Sequence, residues 1–275
     1  MYRLCREVRF NLPTGGQTAA AGTNGHAGTP AADGPAVHWA VRVTLSGDPD
    51  PTSAYLIDIK RIDDAVRREA FGLLAAAATS AGGLPGTVLS TFAVLKSAWP
   101  GRRVERVEIV ASPYQSSAVD AGEPHVTQLS QHFEFSAAHR LHNPSLGDAE
   151  NRQLFGKCNN PHGHGHNYEV KVTIAGTPDE GGRIIGVAEL ERLVEEHAIR
   201  KVDHKFLNAE VVEFQTLNPS VENIARVIYG WLKPHLKRQH AALRSVTVWE
   251  TPKTSCEYSG DEAPRVLSTG TPGEG

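Results

Sequence analysis

Apolar and polar residues alternate in several short runs along the chain, and the runs fall in the same order twice. Trp39, Val41, Val43 and Leu45 alternate with polar Arg42 and Thr44 before Ser46 and Gly47, which predicts a strand and a turn. A short strand over Glu7–Leu12 precedes it. Between the two, the stretch 14–37 is almost wholly Gly, Ala, Thr, Pro and polar residues; it cannot bury enough surface to offset ordering entropy, so a flexible loop is expected. Ala54–Ile59 reads as a short extended piece leading into a helix over Lys60–Ala78, with apolar spacing at Ile62, Val66, Ala70 and Leu74. A second helix begins after Pro85 and runs to about Trp99, where Pro100 and Gly101 end it. Strands over Val104–Val110 and Pro113–Val119 follow.

After a polar joint at 119–126 the order starts again. Leu129–His139 is a strand with Phe133, Phe135, Ala137 and His139 on one face, and Glu169–Ile174 is another, with Val170, Val172 and Ile174 in phase. A turn at 176–182, helices over Ala188–Ile199 and Pro219–Lys237, and strands over Leu243–Thr251 and Thr254–Tyr258 complete the set. HWAVRVTLSG at 38–47 shadows NYEVKVTIAG at 167–176, and VEIVASP at 107–113 shadows VTVWETP at 246–252. The chain therefore reads as a tandem repeat of one unit: a first copy over 1–120, a second over 127–260 and a disordered tail at 261–275.

Composition narrows the picture. A chain of 275 residues with 40% apolar content supports two ordinary cores. A net charge of -3 argues against a general nucleic-acid surface, so an anionic ligand must be met locally. Cys5, Cys158 and Cys256 are too few and scattered for a disulfide framework, and reduced thiols are expected. The start, MYRLCREVRFNLP, has no apolar run of signal-peptide length, and no stretch approaches membrane-spanning length. A cytoplasmic protein with no membrane association is the expectation.

The chemistry gathers in FGKCNNPHGHGHNY at 155–168. Extending the period of two backwards from Val170 puts His164 and His166 on the apolar strand face, so two imidazoles look at one point. Zinc binding needs such convergence, and a catalytic site wants three protein ligands and one open position. His139 closes the apolar face of its own strand where a third ligand is required. His162 precedes the strand and is left out. Cys158, on the loop before the strand, is either a base or nucleophile with a pKa lowered by a metal and by Lys157, or a fourth, structural ligand. Asp203 and His204 form either an ordinary helix-exit pair or an acid/base pair in which the carboxylate fixes the imidazole tautomer. Glu250 is in phase with Val246 and Val248; a buried carboxylate there needs a partner, such as a flat heterocycle with two parallel N–H donors.

With FSAAHRL at 135–141, LFGKCNNPHGHGHNY at 154–168, DHKFLN at 203–208, PSVEN at 219–223 and WET at 249–251, the second half resembles the 6-pyruvoyltetrahydropterin synthase family, which includes the bacterial 6-carboxytetrahydropterin synthases. The resemblance covers 133–260. It implies an α+β tunnelling (T-) fold, a four-stranded antiparallel sheet with two helices on one face. It also implies Zn2+ on His139, His164 and His166, proton transfer by Cys158, Asp203 and His204, and pterin binding by Glu250 with Glu222. The reaction would convert 7,8-dihydroneopterin triphosphate to the 6-pyruvoyl product with loss of triphosphate, near which Arg140, Lys157 and Lys205 are placed. The alternatives are the 6-carboxy synthase of queuosine biosynthesis and a non-catalytic pterin-binding zinc module. His162 departs from the asparagine usual before GHGH, and Gly186 from the usual Asp or Asn. Five residues between Cys158 and His164 match the pyruvoyl synthases. In the first copy the metal and carboxylate positions fall on Thr14, Pro35, Val37 and Ala111, so that copy is expected to be silent. One zinc per chain and a homo-oligomer follow.

Overall fold

A computed structural model describes residues 1–13, 28–29, 31, 35–79 and 82–260. Most of the expected loop at 14–37, and the whole expected tail at 261–275, lie outside the described residues. The chain divides into two compact units, Met1–Ser130 with Ala175–Ile184, and Gln131–Ile174 with the chain from Ile185 onward.

In the first unit β1 (Tyr2–Pro13), β2 (Ala36–Gly47), β3 (Arg103–Ser112) and β4 (Gln115–Asp120) pair antiparallel in that order. Helices α1 (Ile59–Thr79) and α2 (Leu84–Leu95) supply Ile62, Val66, Ala70, Leu74, Val88 and Phe92 to a core shared with Val8, Phe10, Val41, Val43, Val107 and Ile109. One strand face thus meets the helices; the side chains of the other join in ion pairs. Glu7 accepts from Arg9 at 2.7 Å and Arg42 at 2.8 Å, and Arg106 reaches Asp120 at 2.8 Å. Two expectations shift. The piece at Ala54–Ile59 runs into the helix one residue early, because Asp58 accepts from the Lys60 N–H and α1 opens at Ile59. Helix α2 stops at Leu95, and turns carry the chain on to Pro100.

The N-terminus of α2 is satisfied from a distance. The Gly83 and Gly86 N–H groups donate to the carbonyls of Gly181 at 2.9 Å and Gly182 at 2.8 Å. A Cβ on Gly83 would lie 2.1 Å from the Gly182 oxygen, so only glycine permits this approach.

In the second unit the strand order is β5 (Thr127–His139), β6 (His164–Gly176), β8 (Ala241–Thr251) and β9 (Thr254–Tyr258). A two-residue β7 (Lys205–Phe206) runs parallel beside Ala137 and Ala138 of β5. Helix α3 (Asp148–Phe155) has no apolar spacing to foreshadow it. Helix α4 (Val187–Val194) continues through a π turn, Glu195–Ile199, to a last turn at Arg200–Val202. Helix α5 (Val221–Leu232) is shorter than expected at both ends: Ser220 caps it and Leu232 is its last residue. It buries Val221, Ile224, Ala225, Ile228 and Leu232, a helical stripe, and packs on β8 and β9. The architecture is the α+β tunnelling fold expected from the sequence.

Both units carry a register shift at the same place. In β8 it falls between Trp249 and Thr251, around Glu250; in β3 it falls between Val110 and Ser112, around Ala111. Bulges of this kind re-aim one side chain. Among the described residues, no helix is long and apolar enough to cross a membrane.

Candidate metal centre

Strand β6 begins at His164, so its period of two carries His164, His166 and Tyr168 onto the face that buries Val170 and Val172. Gly163, at φ 71°, makes the bend before it. A Cβ there would meet the Phe206 ring at 2.8 Å and the His139 carbonyl at 3.0 Å. His139 ends β5 and is fully buried. The ligand atoms of His139, His164 and His166 lie within 4.8 Å of one another.

The hydrogen bonding of these rings leaves a gap that a cation fits. His139 Nδ1 donates to the Pro219 carbonyl at 2.7 Å, so its lone pair is on Nε2, 3.2 Å from His164 Nε2. If His164 carries its proton on Nε2, its buried Nδ1 lone pair has no partner; if on Nδ1, that N–H has none and two lone pairs face each other. His164 Nδ1 and His166 Nε2 are indeed buried without hydrogen-bond partners. Burial holds the His139 imidazole below its ordinary value, against the pull of the Pro219 carbonyl. Burial does the same to His164, with His166 adding to it. Neutral imidazoles are ready ligands, and an all-imidazole set suits zinc and its neighbours in the transition series.

Glu250 Oε1 lies 3.5 Å from His139 Nε2 and 3.8 Å from His166 Nε2, on the bulge described above. Cys158 sits in a 3-10 turn, Gly156–Asn159, outside the cluster of metal-ligating atoms. Lys157 is exposed and is not among the groups that shift the Cys158 thiol, which burial, with help from Glu250, raises. Burial, then Glu250 and Cys158, also push the Tyr168 phenol far up. Cys158, Glu250 and Tyr168 therefore share one electrostatic neighbourhood with the histidines.

Asp203 and His204 pair, with Oδ2 and Nδ1 2.8 Å apart. Asp203 also accepts from the Ser136 N–H at 3.0 Å, the largest of the interactions that hold it below the usual carboxylate range. His204, at φ 56°, returns its own N–H to the Ser136 carbonyl at 2.7 Å. His204 lines a cleft of about 480 Å³ together with His166, Asn167 and Lys205. Among the described residues neither Asp203 nor His204 makes a hydrogen bond or ion pair with Cys158, and the His204 ring is 82% exposed. Glu222 is exposed on the first turn of α5 and its field reaches Cys256, not the histidines. His162 is exposed. Of the cations placed near triphosphate, Lys205 reaches Glu210 at 3.1 Å and Arg140 reaches the Asn159 carbonyl at 3.3 Å.

A family model described as 6-pyruvoyl tetrahydropterin synthase matches residues 128–261. The 6-pyruvoyl tetrahydrobiopterin synthase of Drosophila melanogaster is 41% identical over 136 residues, covering 49% of this chain and 80% of that protein. The human protein of the same name is 40% identical over 135 residues, covering 49% and 92%. The chain belongs to the 6-pyruvoyl tetrahydropterin synthase family. The 6-carboxy-5,6,7,8-tetrahydropterin synthase of Bacillus subtilis is 28% identical over 144 residues, covering 50% of this chain and 88% of that protein. The solved Caenorhabditis elegans 6-pyruvoyl tetrahydropterin synthase shares 39% identity over 49% of this chain and 96% of that one, with a TM-score of 0.47.

Some residues of this family member escape a reading of periodicity. Asn208 clasps Arg140, accepting its N–H at 2.8 Å and donating to its carbonyl at 2.9 Å. Buried Asn151 donates to the Asn143, Leu146 and Gly147 carbonyls. Buried amides are an available signal, since each must find partners.

Proposed function

We propose that this chain is a zinc-dependent lyase that converts 7,8-dihydroneopterin triphosphate to 6-pyruvoyltetrahydropterin with elimination of triphosphate. The convergence of His139, His164 and His166, with two buried ring nitrogens lacking partners, carries the reading. Zinc on these residues would supply Lewis acidity toward the substrate's hydroxyl oxygens at one open position. Cys158, kept as a thiol by burial and by Glu250, gives and takes protons at the side-chain carbons. Asp203 stays ionised and keeps the His204 proton on Nδ1, leaving Nε2 to exchange a proton. Glu250, with Glu222 assisting, anchors the pterin N–H donors, and Arg140, Lys157 and Lys205 face the triphosphate. We assign a homo-oligomer as the working form, supported by the exposure of His204 and its lack of contact with Cys158 within one chain.

Incubation with dihydroneopterin triphosphate and identification of the product tests the reading. A pyruvoyl product is expected. A carboxy product with acetaldehyde would move the chain to the queuosine-pathway synthases, and no reaction would leave a pterin-binding zinc module.

A further inference from the structure

We infer that Asn159 is the positioning residue for Cys158, acting through a strut to the three residues that follow His139. The functional part of this inference rests on the proton-transfer role proposed for Cys158. Asn159 is 6% exposed. Its Nδ2 lies 2.7 Å from the Leu141 carbonyl oxygen and 3.1 Å from His142 Nδ1. A carbonyl only accepts, so the atom facing Leu141 must be the amide nitrogen; turning the amide over would set oxygen against oxygen at 2.7 Å. The second amide hydrogen then goes to His142 Nδ1, which accepts, and the His142 ring carries its proton on Nε2. Both hydrogens of one buried amide are thereby spent on tying two segments together.

Backbone bonds lie on either side of the strut. The Leu141 N–H donates to the Cys158 carbonyl at 2.8 Å, Arg140 Nε donates to the Asn159 carbonyl at 3.3 Å, and Asn208 holds both backbone groups of Arg140. The His142 N–H donates to Asn218 Oδ1 at 3.1 Å. Among the described residues the Cys158 sulfur makes no hydrogen bond, so no hydrogen bond of its own sets its position. Its loop is a four-residue 3-10 turn entered through Gly156 at φ 54°. Turns of this kind hydrogen-bond poorly on their own. The strut fixes the thiol relative to the segment that ends in His139, and so relative to the histidine cluster.

The test uses the full chain with zinc added. In Asn159→Ala, kcat should fall about 10–100-fold with KM little changed, as for loss of a supporting shell. Metal content should stay at the wild-type value, the melting temperature should fall because two buried hydrogen bonds are lost, and iodoacetamide should alkylate Cys158 faster, by peptide mapping, as the loop opens. Wild-type alkylation of Cys158 in this variant would overturn the inference. Cys158→Ala measured in parallel separates the two claims: full turnover there removes the proton-transfer role, and alkylation of Asn159→Ala alone then decides the positioning. Should Asn159→Ala fail to fold, His142→Phe keeps the ring volume and removes one acceptor. Faster alkylation of Cys158 in that variant supports the strut, and the wild-type rate overturns it.

Discussion

His139 Nδ1 lies 2.7 Å from the carbonyl oxygen of Pro219, a residue 80 positions further along the chain. The bond joins the end of β5 to the loop that opens α5, and it decides which nitrogen of His139 is left for a ligand. Supporting bonds of this type orient metal-ligating imidazoles.

Because the cluster is defined by the folded chain, a cation bound there stabilises the native state by mass action. Stripping metal with a chelator should lower the melting temperature, and zinc should restore it. His164→Ala should lose the metal, by elemental analysis, and become insensitive to chelator. Full zinc occupancy in that variant would remove the three-histidine assignment.

The histidine cluster is legible in the sequence because a period of two survives from Ile174 back to His164; Glu250 is found by counting in phase with Val248, but the bulge on which it stands is not legible. What is not legible has physical reasons. Helix α3 buries only Asn151 and so has no apolar stripe to read. The π turn at Glu195–Ile199 leaves the helical spacing readable while altering its hydrogen bonds, and β7 is two residues long. That Asp203 and His204 make no hydrogen bond or ion pair with Cys158 among the described residues is a tertiary fact that motif order does not encode. The rise of the Cys158 thiol escapes the sequence because its causes are tertiary, burial first and then Glu250, far along the chain, while Lys157 turns to solvent.

Acid should weaken the first unit through Glu7. Hydrogen bonds from Arg9 and Arg42, in that order, hold its carboxyl below the ordinary glutamate value. A depressed folded pKa contributes stability that is fully present above the unfolded value and is lost as pH falls through the folded one. Glu7→Gln should therefore melt below wild type at neutral pH, with the gap closing below about pH 4. A gap that is constant with pH would exclude this ion pair as its source.

Two glycine substitutions should have opposite signs. Gly83→Ala places a methyl 2.1 Å from the Gly182 oxygen, backbone that cannot swing aside. A loss of about 1–3 kcal/mol is the range for overpacking, and thermal or denaturant unfolding would read it. Gly72 is exposed within α1, and a Cβ added there would meet nothing within 4 Å. Gly72→Ala should stabilise by about 0.5–1 kcal/mol through helix propensity. Equal effects would mean that the Gly83–Gly182 approach is looser than its distances imply.

The first unit should be silent toward metal yet necessary to the second half. Its strands keep their apolar face, and β3 keeps the bulge, but Ala111 stands on that bulge where Glu250 stands in β8. Among the described residues, only His139, His164 and His166 form a metal-ligating group, and the position paired with Leu12 is Val37, not an imidazole. One zinc per chain is the expected stoichiometry. The turn Ala175–Ile184, which joins β6 to the segment before α4, belongs to the first compact unit and supplies the carbonyls that satisfy Gly83 and Gly86. Thr127 at the start of β5 donates its hydroxyl to Gly176 in the same unit, at 3.1 Å. A fragment of residues 127–275 would keep every histidine of the cluster but lose the partners of that turn. It should bind zinc more weakly and melt at lower temperature than the full chain. Two zincs per full chain, or a fragment with full-chain zinc affinity and melting temperature, would overturn this division of labour.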